Sequence, residues 1–238
     1  MIWPVTEQLQ RSAMAKMWAI FPVAQDDPIH LRAIWGKGVP GKRPTRNITF
    51  TPAAYPNVAE RQLAFTDKAL GLNKQGYNIY ICFNPISPGF QGDEHNGLSV
   101  KDTDIVRRRY LLIDFDRSQT SQPATDDEID EILKVAHQLE KYAFYSKGHE
   151  PITVNSGNGV HVYLPIDLPN DDGSKLLCQN VLQALANKYD TATVKVDTGV
   201  FNASRITKVL GTIAYKGTEA PDDTGINERY YRMASAVE

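Results

Sequence analysis

The stretch that most constrains the chain is Tyr110-Leu111-Leu112-Ile113, a nearly continuous apolar run that passes directly into Asp114-Phe115-Asp116. An apolar run without polar alternation suggests a central strand, covered on both faces. Aspartates two apart on a strand share a face, so Asp114 and Asp116 converge while Phe115 turns into the opposite layer. Two carboxylates that close repel unless a cation lies between them, and hard oxygen donors suit magnesium or manganese. The plainer alternative is a strand end whose acids face water, as turn formers often do.

The flanking pattern mixes helices and strands. Thr6 to Phe21 spaces Leu9, Met14, Met17 and Trp18 as a helix stripe, interrupted at Asp26-Asp27-Pro28. His30 to Trp35 alternates like a half-buried strand, and Gly36, Gly38, Pro40, Gly41 and Pro44 predict an irregular exposed loop after it. Lys37, Lys42, Arg43 and Arg46 make that loop a small basic patch, read as a solvated face with phosphate contact as the alternative. Asn57 followed by Glu60 starts a helix that carries Val58, Leu63 and Leu70 to a stop at Gly71 or Gly76. Tyr77 to Phe83 is a strand, ended by turn chemistry from Asn84 to Gly89, and Gly89 to Lys101 is loop.

After the central strand, Thr125 and Glu128 form a capping-box signature for a helix that buries Ile129, Ile132, Leu133, Ala136, Leu139 and Tyr142 and stops at Gly148. Pro151 to Val154 and Val160 to Leu164 read as a hairpin closed by Ser156-Gly157-Asn158-Gly159. Asn170 or Asp171 caps a helix containing Leu176, Leu177, Val181, Leu182 and Leu185. Val194 to Asp197 is a short strand, Phe201 to Leu210 a short helix and Thr212 to Tyr215 a further strand.

Charge narrows the partners. Lys plus Arg number 26 against 28 Asp plus Glu, a net charge of −2, which excludes a histone-like polycation and makes any nucleic-acid contact local. The 42% apolar and 23% charged residues are ordinary globular composition. No apolar run approaches the roughly 18 residues of a membrane span, and the N-terminus lacks signal-peptide character, so the expectation is an intracellular, cytoplasmic chain with no membrane partner. Cys82 and Cys178 cannot supply a four-ligand zinc site and are read as buried thiols of a reducing compartment. No repeat or long Gly/Ser linker divides the chain, so one domain over 1–238 is expected.

Two further segments carry candidate chemistry. In Val160-His161-Val162-Tyr163, alternation puts His161 and Tyr163 on one face, beside a turn whose small residues would let backbone amides approach an anion. A lone His after a hairpin is otherwise a structural residue. Val194-Lys195-Val196-Asp197 sends its valines one way and Lys195 with Asp197 the other, so Asp197 could complete a carboxylate triad. Arg205 follows, and Lys216 ends the Gly211 to Gly217 segment. Three acids, a His, an Arg and a Lys are the toolkit of phosphoryl transfer, in which metals bridge phosphates and cations neutralise developing charge.

Three motifs give the chain a resemblance to the archaeo-eukaryotic primase superfamily, in particular to the primase-polymerases of plasmids, phages and some CRISPR loci. They are Leu112-Ile113-Asp114-Phe115-Asp116, Ser156-Gly157-Asn158-Gly159-Val160-His161-Val162-Tyr163, and Val196-Asp197-Thr198-Gly199-Val200-Phe201-Asn202-Ala203-Ser204-Arg205-Ile206 continuing into Leu210-Gly211-Thr212 and Lys216-Gly217. Weaker agreement runs through Leu31-Arg32-Ala33 and Tyr80 to Pro85. The resemblance implies an α+β catalytic core with an RRM-like antiparallel sheet over about 106–238, flanking helices and an N-terminal α/β module over about 1–105. It implies that Asp114, Asp116 and Asp197 hold two divalent ions, Mg2+ or Mn2+. Ser156, Gly157, Asn158, Gly159 and His161 would bind the triphosphate, and Arg205 and Lys216 the incoming nucleotide. The implied reaction is attack of a 3′-hydroxyl on the α-phosphate of a nucleotide triphosphate, templated by single-stranded or primed DNA, with pyrophosphate leaving.

The chain departs from the family at its end, where Arg229-Tyr230-Tyr231-Arg232 replaces an Arg-Pro-His-Arg-like run. Larger members add a helical primase domain or a helicase there, so such a domain, a helicase or CRISPR proteins are the implied partners. Two other readings compete. A metal-dependent nuclease would also use paired acids and a His, but leaves Ser156 to His161 and Arg205 to Lys216 without a purpose. An idle RRM-like binding module would expose aromatics on its sheet face, where this chain places acids.

Overall fold

The computed structural model describes residues 5–118, 122–147, 150–217 and 229–237. In chain order its first elements are α1 Glu7–Ile20, β1 Ile29–Trp35, β2 Arg46–Phe50, α2 Val58–Lys74, β3 Tyr77–Cys82 and a 3-10 turn at Asp102–Asp104. The central strand β4 Arg107–Arg117, then α3 Asp126–Lys147, β5 Ile152–Asn155, β6 Val160–Pro169 and α4 Asp172–Tyr189 follow. Short strands complete the chain: β7 Val194–Val196, β8 Ile206–Lys208, β9 Ile213–Ala214, β10 Arg232–Met233 and β11 Ser235–Ala236.

Local chemistry sets most helix starts. Thr6 Oγ1 accepts from the Leu9 amide at 3.2 Å, and Asn57 Oδ1 from the Ala59 amide at 2.8 Å. At α3 the box closes in both directions, with the Thr125 amide donating to Glu128 Oε2 (2.8 Å) and the Glu128 amide to Thr125 Oγ1 (3.2 Å). Asp171, not Asn170, caps α4 through the Ser174 amide at 2.7 Å. Asn170 instead donates to the carbonyls of Asp102 and Ile105. The stop predicted for α3 at Gly148 lies outside the described residues.

All pairings are antiparallel. One sheet has the order β2-β1-β3-β8, the second β11-β5-β6-β4-β7, and β9 and β10 form a small ribbon. Helix α2 covers the first sheet, α3 and α4 cover the second, and α1 packs against α2 and against β11 of the second sheet. Strand alternation then decides what meets between the sheets. Leu111, Ile113 and Phe115 of β4 are buried on the helix side, while Leu112, Asp114 and Asp116 point to the other face. Aromatic residues close one end of the inter-sheet space: Tyr163 of β6 meets Phe21 at 4.8 Å and Phe83 at 5.8 Å between ring centroids, and Phe21 meets Tyr110 at 5.6 Å. Edge-on ring pairs of this kind contribute about 0.5–1.5 kcal/mol each beyond burial. One apolar cluster runs through both sheets and all four helices of the described residues.

The structure corrects three expectations. Phe201 to Leu210 is not a helix: Ile206-Thr207-Lys208 extends and pairs with Cys82, Ile81 and Tyr80 of β3, a nonlocal partner that local propensity cannot register. Tyr142 is 44% exposed rather than core, with Lys188 Nζ 3.7 Å from its ring centroid. The irregular loop after β1 gives way at Arg46 to β2, which no pattern singled out. Cys82 and Cys178 are buried and unpaired, as expected. Among the described residues no helix is long and apolar enough to cross a membrane.

Candidate active site

The open end of the inter-sheet space is a cavity of about 340 Å³. Asp114 of β4 and His161 of β6 stand directly opposite one another in the antiparallel ladder, which puts both side chains on the cavity face. His161 Nε2 lies 3.5 Å from Asp114 Oδ1, and Nδ1 lies 3.0 Å from Thr207 Oγ1. Thr207 also bonds the Tyr163 hydroxyl. Burial holds His161 below the usual imidazole range, although Asp114 pulls the other way. A neutral ring with Nε2–H turned to Asp114 and Nδ1 accepting from Thr207 avoids aiming a lone pair at the carboxylate, so this tautomer is favoured.

The first sheet supplies the facing wall. Ile34 and Trp35 of β1, Asn78 and Tyr80 of β3, and Ile206 and Lys208 of β8 line it, with Arg205 and Lys216 beside them. Lys208 is buried to 4% exposure, and its ammonium is met by Asn78 Oδ1 (3.3 Å), the Ile213 carbonyl (3.0 Å) and the Tyr80 ring, 5.5 Å to its centroid. Burial pushes it down to about 7. Arg205 keeps Nε buried without a partner, and its Nη2 lies 3.9 Å from Asp197. Lys216 is held below the usual lysine range by burial, against the opposing pull of Asp116. A cavity lined by Lys37, Arg205, Lys208 and Lys216 opposite a single carboxylate, Asp114, is built to take an anion together with a compensating charge.

Asp116 and Asp197 are not among the side chains lining the cavity. Asp116 shares the face of Asp114, and burial raises its carboxyl, with the Asp114 charge adding to the rise against the Arg117 amide and Lys216. Asp197 is tied to the strand by its amide, which donates to the Asp114 carbonyl at 2.9 Å. Its carboxylate accepts from the Gly199 amide at 2.8 Å. Among the described residues, no three His, Cys, Asp or Glu side chains come together as a metal cluster. The expected three-carboxylate set is therefore assembled at its strand positions but not drawn together at its oxygens. The donor chemistry of Asp114 and Asp116 nevertheless fits a hard divalent cation, because one would offset the burial, and the lesser repulsion from Asp114, that raise Asp116.

The turn between β5 and β6 places Ser156 and Asn158 on the cavity. Its amides, expected to be open to an anion, are engaged within the turn: Ser156 N donates to the Gly159 carbonyl (2.9 Å), Gly157 N to Asn155 Oδ1 (2.7 Å) and Gly159 N to Ser156 Oγ (3.2 Å). The glycines answer to packing. A Cβ on Gly159 would come within 2.6 Å of the Phe115 carbonyl, and one on Gly157, at φ +96°, within 2.8 Å of Ala214 Cβ.

Sequence reasoning missed Lys208, Tyr80 and Trp35 as cavity residues. The first two depend on the β3–β8 pairing of Tyr80 with Lys208, and the alternation of Ile206 with Lys208 was the signal that a strand reading would have used. The end segment, whose role the sequence left open, packs on the start of α3. Arg232 is 1% exposed and donates to Asp126 Oδ1 (2.9 Å), and Arg229 meets Glu128 at 3.0 and 3.1 Å.

No protein-family model and no curated protein sequence matches the chain. Solved structures do. The AEP domain of the cyanophage S-2L primase-polymerase (PrimPol) superposes on 96% of this chain and 89% of its own, at a TM-score of 0.50 and 14% identity. The polymerase domain of Mycobacterium tuberculosis Ligase D, in complex with DNA, covers the same 96% and 81% of its own chain, at the same TM-score and identity.

Proposed function

On the premise that this chain has the archaeo-eukaryotic primase catalytic fold, we propose that it is a template-dependent nucleotidyltransferase, a DNA primase-polymerase. It would join nucleotide triphosphates to a 3′-hydroxyl and release pyrophosphate. The observation that carries this reading is the cavity itself, where the Asp114–His161 pair of one sheet faces Lys208, Arg205 and Lys216. Both parts of the proposed 1–238 domain are needed, since the 1–105 module contributes Trp35, Asn78 and Tyr80 and the 106–238 core the acids.

Asp114 and Asp116, with Asp197 beside them, are the residues that would hold Mg2+ or Mn2+. Such ions, when bound, lower the pKa of an attacking hydroxyl and stabilise the leaving oxygens. The chain's own side chains do the rest. Arg205, Lys216 and the protonated form of Lys208 bind triphosphate oxygens, and neutral His161 donates a hydrogen bond fixed in direction by Thr207. Ser156 and Asn158 border the same volume, and Gly157 and Gly159 shape the turn that presents them.

The test is incorporation of labelled nucleotide on a single-stranded template, with and without a primer, in Mg2+ or Mn2+. Asp114→Ala should lower incorporation by at least about 100-fold with an unchanged fold, the scale of losing a charge-stabilising group. Full activity in the variant, or template cleavage without nucleotide, would overturn the reading, the latter in favour of a metal-dependent nuclease.

A further inference from the structure

Charge is unevenly distributed along the chain. Residues 28–59 hold Arg32, Lys37, Lys42, Arg43 and Arg46 and no Asp or Glu, so this segment carries +5 and the remainder of a −2 chain carries −7. Four of those five cations stand between Gly36 and the start of β2. All four are exposed, and among the described residues none has a carboxylate within ion-pair distance.

The loop that bears them is fixed in place. The Gly36 amide donates to the Gly76 carbonyl (3.0 Å) and the Gly38 amide to the Tyr215 carbonyl (3.4 Å). The Tyr231 hydroxyl donates to the Gly38 carbonyl (2.8 Å), Trp35 Nε1 to the Gly41 carbonyl (3.0 Å) and the Tyr77 hydroxyl to the Pro44 carbonyl (3.3 Å). Gly38 lies so close to Gly217 that a Cβ would come 2.7 Å from its amide nitrogen. The backbone is thus pinned against the Lys216 turn while all four cations stay exposed. Holding like charges beside one another, and beside Lys216, is unfavourable unless an anion joins them.

The patch also has a direction. Trp35 and Lys37 line the mouth of the cavity, whereas Lys42, Arg43 and Arg46 lead away from it to β2, the edge strand of its sheet. The Arg43 guanidinium lies 5.1 Å from the Trp35 ring centroid, a cation–aromatic pair of the kind on which nucleic-acid bases stack. A row of cations ending at a flat stacked pair suits an anion that alternates phosphates with planar rings.

We propose that the Gly36–Arg46 loop is the surface along which a single strand of nucleic acid enters the cavity. Its phosphates pair with Lys37, Lys42 and Arg46, and the Arg43–Trp35 stack receives a base. That the strand is a template rests on the nucleotidyltransferase reading; that it binds here rests on the loop.

The test separates the two. Labelled single-stranded DNA of about 20 nucleotides is titrated by fluorescence anisotropy from about 50 to 300 mM salt, without metal or triphosphate, against Lys42→Ala/Arg43→Ala/Arg46→Ala. Lys37 is left intact because it lines the cavity. Each lost phosphate contact removes about 0.7 from the slope of log affinity against log salt, so losing the Lys42 and Arg46 contacts should lower it by about 1.4, with affinity at least about 10-fold weaker at low salt once the Arg43 stack is lost as well. Lysine at 43 and 46, with Lys42 retained, should restore most of the slope. An unchanged slope and affinity in the alanine variant would overturn the proposal even where nucleotide is incorporated. A lost slope in a chain that incorporates nothing would sustain it and sink only the nucleotidyltransferase reading.

Discussion

Lys208 shows most directly what the fold does to a single residue. In the unfolded chain its amine titrates near 10.5, whereas burial pushes it down to about 7. The unfolded state therefore binds more protons between those values, so Lys208 adds stability as pH rises from 7 and withdraws it as pH falls back through 7. The difference amounts at most to a few kcal/mol. Lys208→Met should flatten the rise: urea unfolding at pH 7 and pH 9 should show a smaller gain in the variant than in the parent. Equal gains would mean that the amine is already solvated. At this scale the sequence was legible where chemistry is local to a strand. The shared face of Asp114 and Asp116, and of His161 and Tyr163, follows from alternation alone. Lys208 and Tyr80 were not legible, because their meeting requires β3 and β8 to find one another across more than a hundred residues of chain.

Elements built by short-range capping were read correctly, and α3 is the clearest case. Glu128 closes the box with Thr125 and also receives Arg117 (3.1 Å) and Arg229 (3.0 Å). Burial alone would raise its carboxyl, but Arg229, the Thr125 amide and Arg117 together hold it down to about 2. A depressed carboxyl stabilises the fold above the unfolded value of 4.5 and loses that contribution as pH falls towards 2. With the side chain about a third exposed, screening reduces the effect to roughly 1–2 kcal/mol. Glu128→Gln should cost that amount at pH 7 and nothing near pH 2, measured by denaturant unfolding; a penalty that persists at pH 2 would point to packing instead. The misread elements had no such local mark. Ile206 to Lys208 is three residues long and takes its extended form from an edge of β3, and β2 is likewise defined by its register with β1.

At the scale of the whole molecule, the end of the chain ties the second sheet, the β9–β10 ribbon and the start of α3 together. β11 pairs with β5 at the edge of the second sheet, β10 pairs with β9 beside the Lys216 turn, and Arg232 reaches Asp126 at the start of α3. Removing residues 229–238 would uncover the β5 edge, take Arg232 from Asp126 and leave Glu128 with Arg117 alone. The expected result is a loss of at least about 3 kcal/mol, read as a lower unfolding midpoint, together with self-association through the freed edge. A shortened chain that stays monomeric with an unchanged midpoint would show the end to be dispensable. No motif made this visible, since Arg229 and Arg232 acquire their meaning only once α3 lies next to them. The ladder that sets Asp114 opposite His161 also carries a bulge between Arg108 and Tyr110. Because strand faces invert with each residue, parity between that bulge and Asp114 decides which side of the sheet the acids occupy. One residue gained or lost there would turn both aspartates into the apolar layer and Phe115 into the cavity, whereas a change of two would leave the wall facing as it does.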